Sequence, residues 1–152
     1  EVLVCDGDND RVQVFDVAGT FLSQWGTEGS GEGQLHGPYG IAVSGEEVYV
    51  CDCLNHRVVV FNLDGSFVRQ WGSEGSEDGQ FDGPCGAVVN GDEVLITDYN
   101  NARVQVFGLD GVYKRQWGGE GDGAGQFELP EGIAVSEGEV FVVSEHRMQV
   151  FR

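Results

Sequence analysis

The chain has 152 residues, of which 40% are hydrophobic, and this length fits one domain with a core of its own. Its formal net charge of −18 repels polyanions, so we expect no nucleic-acid partner. No apolar run approaches the ~18 residues that a membrane-spanning helix needs, so we expect no membrane partner either.

The first predicted strand begins at Val2, and strands of the same Val-x-Val or Val-x-Ile type begin at Val48, Val94 and Val140. The interval between them is 46 residues each time. Three further markers keep this interval: Trp25, Trp71 and Trp117; Gln34, Gln80 and Gln126; Pro38, Pro84 and Pro130. Independent markers that share one period establish an internal repeat.

One complete unit predicts four strands, which we name a to d: Gly40 to Val43, Val48 to Asp52, Arg57 to Asn62 and Phe67 to Trp71. A single sheet cannot bury both faces, so neighbouring units must stack on it. Radial stacking of four-stranded antiparallel sheets is a β-propeller, and we predict an all-β propeller with three to four blades present. The predicted blades are 1–37, 38–83, 84–129 and 130–152, of which the first and last are partial.

The repeat contains Asp-x-x-Asn-x-Arg between strands b and c, preceded by Gly-Gln-Phe/Leu and followed by Gln-Trp-Gly. This pattern resembles the NHL repeat and covers essentially the whole chain, although the last copy reads Ser144-Glu145-His146-Arg147. The resemblance implies part of a larger propeller of about six blades, with further blades in the same chain or in a second copy. The alternative fold, a β-trefoil, also uses three four-stranded repeats, but the NHL-like pattern favours the propeller.

The Asp-x-x-Asn-x-Arg residues are predicted to be structural, because turn chemistry that recurs in every blade belongs to the fold. We expect Asp and Asn to cap the b–c turn and Arg to pair with Asp. These residues are Asp6, Asn9 and Arg11; Asp52, Asn55 and Arg57; Asp98, Asn101 and Arg103. The basic residues then left for a ligand are Arg69, Lys114, Arg115 and Arg152.

Acidic, Gly-rich loops join the blades at 28–33, 74–79 and 120–125. Flexible loops of this type can offer oxygen ligands to Ca²⁺, but the carboxylate positions shift between copies, so we expect solvated loops and no cofactor. The three histidines fall at different repeat positions and form no zinc motif. The cysteines form no evident disulfide framework, and reduced thiols favour an intracellular protein.

Large residues that differ between copies lie in the b–c turns and just after the repeat proline, on one predicted face. Variation on a constant frame is typical of a recognition surface. We therefore predict a non-catalytic scaffold that binds a protein or peptide, possibly a basic one, through Tyr39, Leu54, His56, Tyr99 and Asn100. The NHL resemblance also implies two alternatives: a zinc- or calcium-dependent lyase or hydrolase, and, less favoured because no basic face is evident, RNA binding.

Overall fold

The structure is a computed structural model that describes residues 1–152, and it consists of four antiparallel sheets. The first sheet contains β1 (Val2–Asp6), β2 (Arg11–Phe15) and β3 (Phe21–Trp25). The second contains β4 (Pro38–Ser44), β5 (Glu47–Asp52), β6 (Arg57–Asn62) and β7 (Phe67–Trp71). The third contains β8 (Pro84–Asn90), β9 (Glu93–Asp98), β10 (Arg103–Gly108) and β11 (Tyr113–Gly118). The fourth contains β12 (Ile133–Ser136), β13 (Glu139–Ser144) and β14 (Arg147–Phe151).

Within each sheet the strands follow chain order, so every connection is a simple hairpin. The prediction of four-stranded antiparallel sheets is confirmed, and strands c and d of the second sheet have the predicted bounds. Strand a begins two residues earlier than predicted, because Pro38 pairs with Asp52 across a bulge before the register resumes at Ile41. Tyr39 lies in this bulge. No helix is long and apolar enough to span a membrane.

Each pair of neighbouring sheets encloses its own apolar cluster, as the 46-residue repeat predicts. The loops that join the sheets contribute one fully buried side chain to each cluster, namely Leu35, Phe81 and Phe127. Each tryptophan ring packs at a tilted angle against a phenylalanine of the following sheet, with ring centroids 4.5 Å apart for Trp25 and Phe61. The tryptophans therefore pack between the blades.

The innermost strands β1, β4, β8 and β12 contact one another in succession. This approach is closest at the glycine two residues after the repeat proline. A Cβ on Gly40 would lie 2.2 Å from the Cys85 carbonyl oxygen, and a Cβ on Gly86 would lie 2.2 Å from the Glu131 carbonyl oxygen. Real Cβ atoms essentially never come this close to another atom, so only glycine fits at these positions.

The outer faces of the first and last sheets expose apolar residues that the middle sheets bury. Val4 is 42% exposed, whereas its repeat equivalent Val50 is fully buried. Val150 is 47% exposed, whereas its equivalent Val106 is fully buried. The presence of further blades beside these faces, from the same chain or a second copy, stays a prediction.

An ionic cluster joins the second and third blades on the face that carries the a–b and c–d turns. Arg69 donates two hydrogen bonds to Glu47, at 2.7 and 2.6 Å, and a further one to the Leu109 carbonyl of the next blade. The Tyr49 hydroxyl donates to Glu47 at 2.8 Å. The Arg69 hydrogen bonds, opposed by burial and helped by Tyr49, lower the pKa of Glu47 from 4.5 to about 2.

This lowered pKa predicts acid sensitivity. Because the folded pKa of Glu47 lies below its value in the unfolded chain, the pair stabilises the fold fully above pH 4.5, and this is lost as the pH falls towards 2. We expect Arg69→Met to lower the free energy of unfolding at neutral pH by about 1 kcal/mol, since the pair is partly solvated. The difference from the parent should shrink between pH 4.5 and 2 in urea titrations.

The matched control is Arg115→Met. Arg115 forms the equivalent pair with Glu93, but its side chain is 54% exposed and it donates no hydrogen bond to another blade. We expect the smaller loss of stability from this variant, and an equal loss in the two variants would contradict a role for Arg69 between the blades.

Candidate functional site

Strand b of each complete blade ends in a buried aspartate that accepts hydrogen bonds from at least three donors. Asp52 accepts hydrogen bonds from Arg57 Nε at 2.7 Å, Asn55 Nδ2 at 2.8 Å and the His36 backbone N–H at 2.6 Å. Asp98 is equally buried and pairs with Arg103 Nε at 2.7 Å. The short b–c turn carries no side-chain cap, contrary to the expectation, because Asp52 instead accepts the N–H of the preceding loop.

In the two complete blades, the arginine of the motif extends from its own blade into the acidic loop that precedes it. Arg57 donates to the carbonyl oxygens of Ser30, Gly31 and Gln34 at 2.7, 3.2 and 3.0 Å. Arg103 makes the same three contacts with the next loop. The guanidinium groups of Arg57 and Arg103 thus each engage three carbonyl oxygens of an acidic loop.

The motif varies at the two ends of the chain. In the first copy, the Arg11 side chain is 31% exposed and donates to Asp6 at 2.8 Å and to Gln24. In the last copy, where Ser144 replaces the aspartate, Arg147 still donates to the Gly123 and Gln126 carbonyls at 2.9 and 2.7 Å. The contact with the preceding loop therefore persists where the aspartate is missing.

The four basic residues expected to be free for a ligand are paired. Arg69 binds Glu47, and Arg115 binds Glu93 at 2.6 Å. Lys114 lies 3.3 Å from Glu93, and Arg152 lies 2.5 Å from Glu139. That expectation was wrong, because each of these cations pairs with the glutamate that begins strand b of its own blade.

All five residues predicted to contact a partner line one open cavity of about 360 Å³ between the second and third blades. We call it the central cavity. Its other lining residues are Cys53, Asp82, Gly83, Cys85 and Glu131. The b–c turns and the segments that enter strand a supply these residues, so the cavity lies on the face predicted from the sequence.

The five predicted residues differ in their exposure and in their hydrogen bonds. Tyr39 and Leu54 are 59% and 57% exposed. His56 Nδ1 accepts the Gly83 N–H at 3.2 Å, and the Asn100 amide donates to Asp82 at 3.0 Å. His56 and Asn100 therefore also have a structural role, because they hold the segment between the blades. Tyr99 has a half-buried ring and makes only backbone hydrogen bonds.

Two further cavities flank the central one on the same face. Tyr39 separates it from a cavity of about 400 Å³ at the first blade, and Tyr99 with Asn100 separates it from one of about 390 Å³ at the last blade. No lysine or arginine lines any of the three. Seven carboxylates do: Asp6, Asp8, Asp82, Glu120, Glu128, Glu131 and Glu145. We call these three cavities together the acidic face.

The negative charge of Glu131 raises the pKa of both tyrosines of the acidic face. Its negative charge is the largest cause of a raised pKa at Tyr39. At Tyr99, burial raises the pKa most, and the charge of Glu131 follows. Both phenols therefore stay neutral near pH 7, and a carboxylate without a cationic partner lies among aromatic rings. This arrangement favours a cation with apolar stem atoms, as in lysine or arginine.

Sequence reasoning did not foresee that Cys53 and Cys85 meet in the central cavity. The available signal was their repeat position, since Cys53 opens a b–c turn and Cys85 follows the repeat proline of the next blade. Sequence reasoning also did not single out Asp82, because only the folding of the loop brings this residue to the central cavity. No three or more His, Cys, Asp or Glu side chains are grouped so that they can hold a metal ion.

A family model described as "NHL repeat" matches residues 35–61 and 81–107. The structure is similar to that of the streptogramin B lyase, with a TM-score of 0.68 and 11% identity over 96% of this chain and 45% of that one. It is similar to Kuenenia stuttgartiensis hydrazine synthase, with a TM-score of 0.66 and 13% identity over 98% of this chain and 45% of that one. It is also similar to Myxococcus xanthus glutaminyl cyclase, with a TM-score of 0.63 and 12% identity over 90% of this chain and 53% of that one.

These likenesses show the fold, and the predicted β-propeller architecture is confirmed. The chain spans about half the length of these solved structures. No curated protein matches its sequence.

Proposed function

Because the chain belongs to the NHL-repeat β-propeller family, we propose that it is a non-catalytic binding scaffold whose acidic face takes a basic peptide segment of a protein partner. The observation that carries the proposal is the composition of that face. Seven carboxylates and two partly exposed tyrosines line three adjoining cavities from which lysine and arginine are absent.

The shape of the face supports an extended ligand. The three cavities adjoin, and each is large enough for one or two side chains, with Tyr39 and Tyr99 as the walls between them. A peptide lying across both rings can place successive basic side chains in successive cavities. Aromatic anchors surrounded by charged groups are how interfaces concentrate their affinity.

The charge balance supports a basic ligand rather than a nucleic acid. Arg69, Arg115, Lys114 and Arg152 are each engaged by carboxylates of the chain. A polyanion would meet the net charge of −18 with no free cationic patch to offset it. A basic peptide would instead be attracted over a distance of roughly 10 Å at moderate salt, and the attraction would weaken as salt is added.

The test begins with selection of binders from a displayed library of random peptides. We expect the selected peptides to be rich in lysine and arginine and to bind more weakly as salt is raised. The variant is Tyr39→Ala with Tyr99→Ala, which removes both aromatic walls without touching the contacts of His56 and Asn100. Calorimetry should show affinity weakened by about tenfold or more, since losing an aromatic anchor costs at least ~1.4 kcal/mol.

A matched control is available on the opposite face. Val17 and Val112 lie in c–d turns and are 89% and 61% exposed. Val17→Ala with Val112→Ala should leave both affinity and stability unchanged within about 0.5 kcal/mol. Selection of acidic peptides, salt-sensitive binding of RNA, or equal affinity in the two double variants would each overturn the proposal.

Metal analysis separates this function from the alternative of a zinc- or calcium-dependent lyase or hydrolase. Two of the similar structures are a lyase and a glutaminyl cyclase, and their likeness motivates the alternative through the fold alone. Stoichiometric zinc or calcium in the purified protein would favour the enzyme, whereas the proposed scaffold takes no cofactor.

A further inference from the structure

We propose that Cys53 and Cys85 form a redox-active dithiol in the wall of the central cavity, which a low-molecular-weight disulfide such as oxidised glutathione converts reversibly into a disulfide bond. The two residues belong to different blades, since Cys53 opens the b–c turn of the second and Cys85 lies in strand β8 of the third. Both thiols are free, and both line the same cavity. The proposal does not depend on the identity of the peptide ligand.

The backbones that carry the two cysteines lie close together. A Cβ on Gly83 would lie 3.7 Å from the Cys53 sulfur, so this sulfur rests on the segment that leads into Cys85. The first repeat shows the same approach, because a Cβ on Gly7, the equivalent of Cys53, would lie 3.0 Å from the carbonyl oxygen of Pro38, the equivalent of Pro84. This close approach puts the two thiols within reach of a hydrogen bond to each other. A disulfide between them requires Cβ atoms about 3.5–4.5 Å apart.

The two thiols differ in their exposure and in their pKa, and these differences assign each thiol its chemical role. Cys53 is half-buried at the open side of the cavity, whereas Cys85 is only 6% exposed. A hydrogen bond from the Cys85 thiol lowers the pKa of Cys53, against the opposing effect of its burial. The same interaction, together with burial, raises the pKa of Cys85. A lower pKa and better access make Cys53 the attacking thiol.

The other two cysteines have no such partner. Cys51 is fully buried, and burial raises its pKa. Burial also raises the pKa of Cys5 to about 12. Both are therefore mainly protonated near pH 7, in the form that does not attack disulfides.

The exchange proceeds in two balanced steps. The Cys53 thiolate attacks one sulfur of oxidised glutathione, forming a mixed disulfide and releasing one glutathione thiolate, which takes up a proton. Once the Cys53 sulfur is in the mixed disulfide, the largest cause of the raised Cys85 pKa, its hydrogen bond to the Cys53 thiolate, is removed. Cys85 then loses its proton to solvent and attacks the Cys53 sulfur, which expels the second glutathione. The two cysteines are oxidised, one molecule of glutathione disulfide is reduced to two thiols, and excess reduced glutathione reverses both steps.

The experiment equilibrates the full chain in glutathione buffers of graded redox ratio, quenches with acid, alkylates the free thiols and maps the peptides by mass spectrometry. We expect a Cys53–Cys85 disulfide with Cys5 and Cys51 alkylated. Cys85→Ser should stop at a mixed disulfide between Cys53 and glutathione, whereas Cys53→Ser should leave Cys85 reduced. The control Cys5→Ser should form the same disulfide as the parent.

The peptide map of the parent alone decides the outcome if a serine variant does not fold. A disulfide between Cys51 and Cys53, glutathione retained on Cys53 with Cys85 free, or four free thiols throughout the series would each overturn the proposal. The alkylation rate adds an independent measurement, since Cys53 should react before the other three cysteines near neutral pH. Faster alkylation of Cys5 or Cys85 would contradict the assigned roles.

Discussion

Gly86→Ala is expected to destabilise the protein by about 3 kcal/mol, at the upper end of the usual cost of forcing extra atoms into a packed interior. The added Cβ would lie 2.2 Å from the Glu131 carbonyl oxygen and 2.9 Å from Thr97 Oγ1. Gly86 itself donates its N–H to that hydroxyl at 2.7 Å, so the backbone cannot shift without losing a buried hydrogen bond. Denaturant unfolding followed by tryptophan fluorescence measures the loss.

The chain offers a matched control at the same repeat position. A Cβ on Gly132 would meet only the Val143 side chain, at 3.7 Å, which is ordinary van der Waals contact. Gly132→Ala should therefore change stability by less than about 1 kcal/mol, and it can stabilise by restricting the unfolded chain. Equal losses from the two substitutions would show that the innermost strands do not approach each other as described.

Arg103→Met is expected to cost about 3–5 kcal/mol, the range for removing one partner of a buried ion pair. The substitution leaves the Asp98 charge buried without a cation, and it removes the Arg103 hydrogen bonds to the Ser76 and Glu77 carbonyl oxygens. The Gln80 carbonyl keeps its hydrogen bond from Gln105. Because Arg103 links the third blade to the loop that precedes it, the loss should appear as a lower midpoint of unfolding by both fluorescence and circular dichroism.

Arg11→Met is the control for this prediction. Arg11 pairs with Asp6 in the same motif, but their side chains are 31% and 22% exposed, and Arg11 donates to no loop carbonyl. A partly solvated pair of this kind is worth about 1 kcal/mol or less. If both substitutions cost the same, the contacts with the loop carbonyls contribute nothing, and the stabilising role assigned to the motif fails.

The regular part of the fold could be predicted from the sequence because local patterns determine it. Alternating apolar residues give the strands their period, and the 46-residue repeat specifies which strands are equivalent. Strands β6 and β7 begin and end where the pattern predicts. Strand β4 does not, because its bulge at Tyr39 depends on pairing between Pro38 and Asp52 across the sheet.

The functional face was harder to predict because contacts between blades form it. Sequence variation pointed to Tyr39, Leu54, His56, Tyr99 and Asn100, and the structure places all five around the central cavity. Sequence variation could not reveal that His56 and Asn100 also hold the loop at residues 82–83, since those bonds join residues 27 and 18 positions apart in the chain. The proximity of Cys53 and Cys85 could not be predicted for the same reason, because these residues are also far apart in the chain.

The most direct test of the acidic face is to follow the backbone amide signals of the protein by NMR while a selected lysine- and arginine-rich peptide is added. We expect the largest shifts on Tyr39, Leu54 and Tyr99 and on the neighbouring residues that line the three cavities, and we expect added salt to reduce these shifts. Shifts confined to the c–d turns around Val17 and Val112, on the opposite face, would contradict binding at the acidic face.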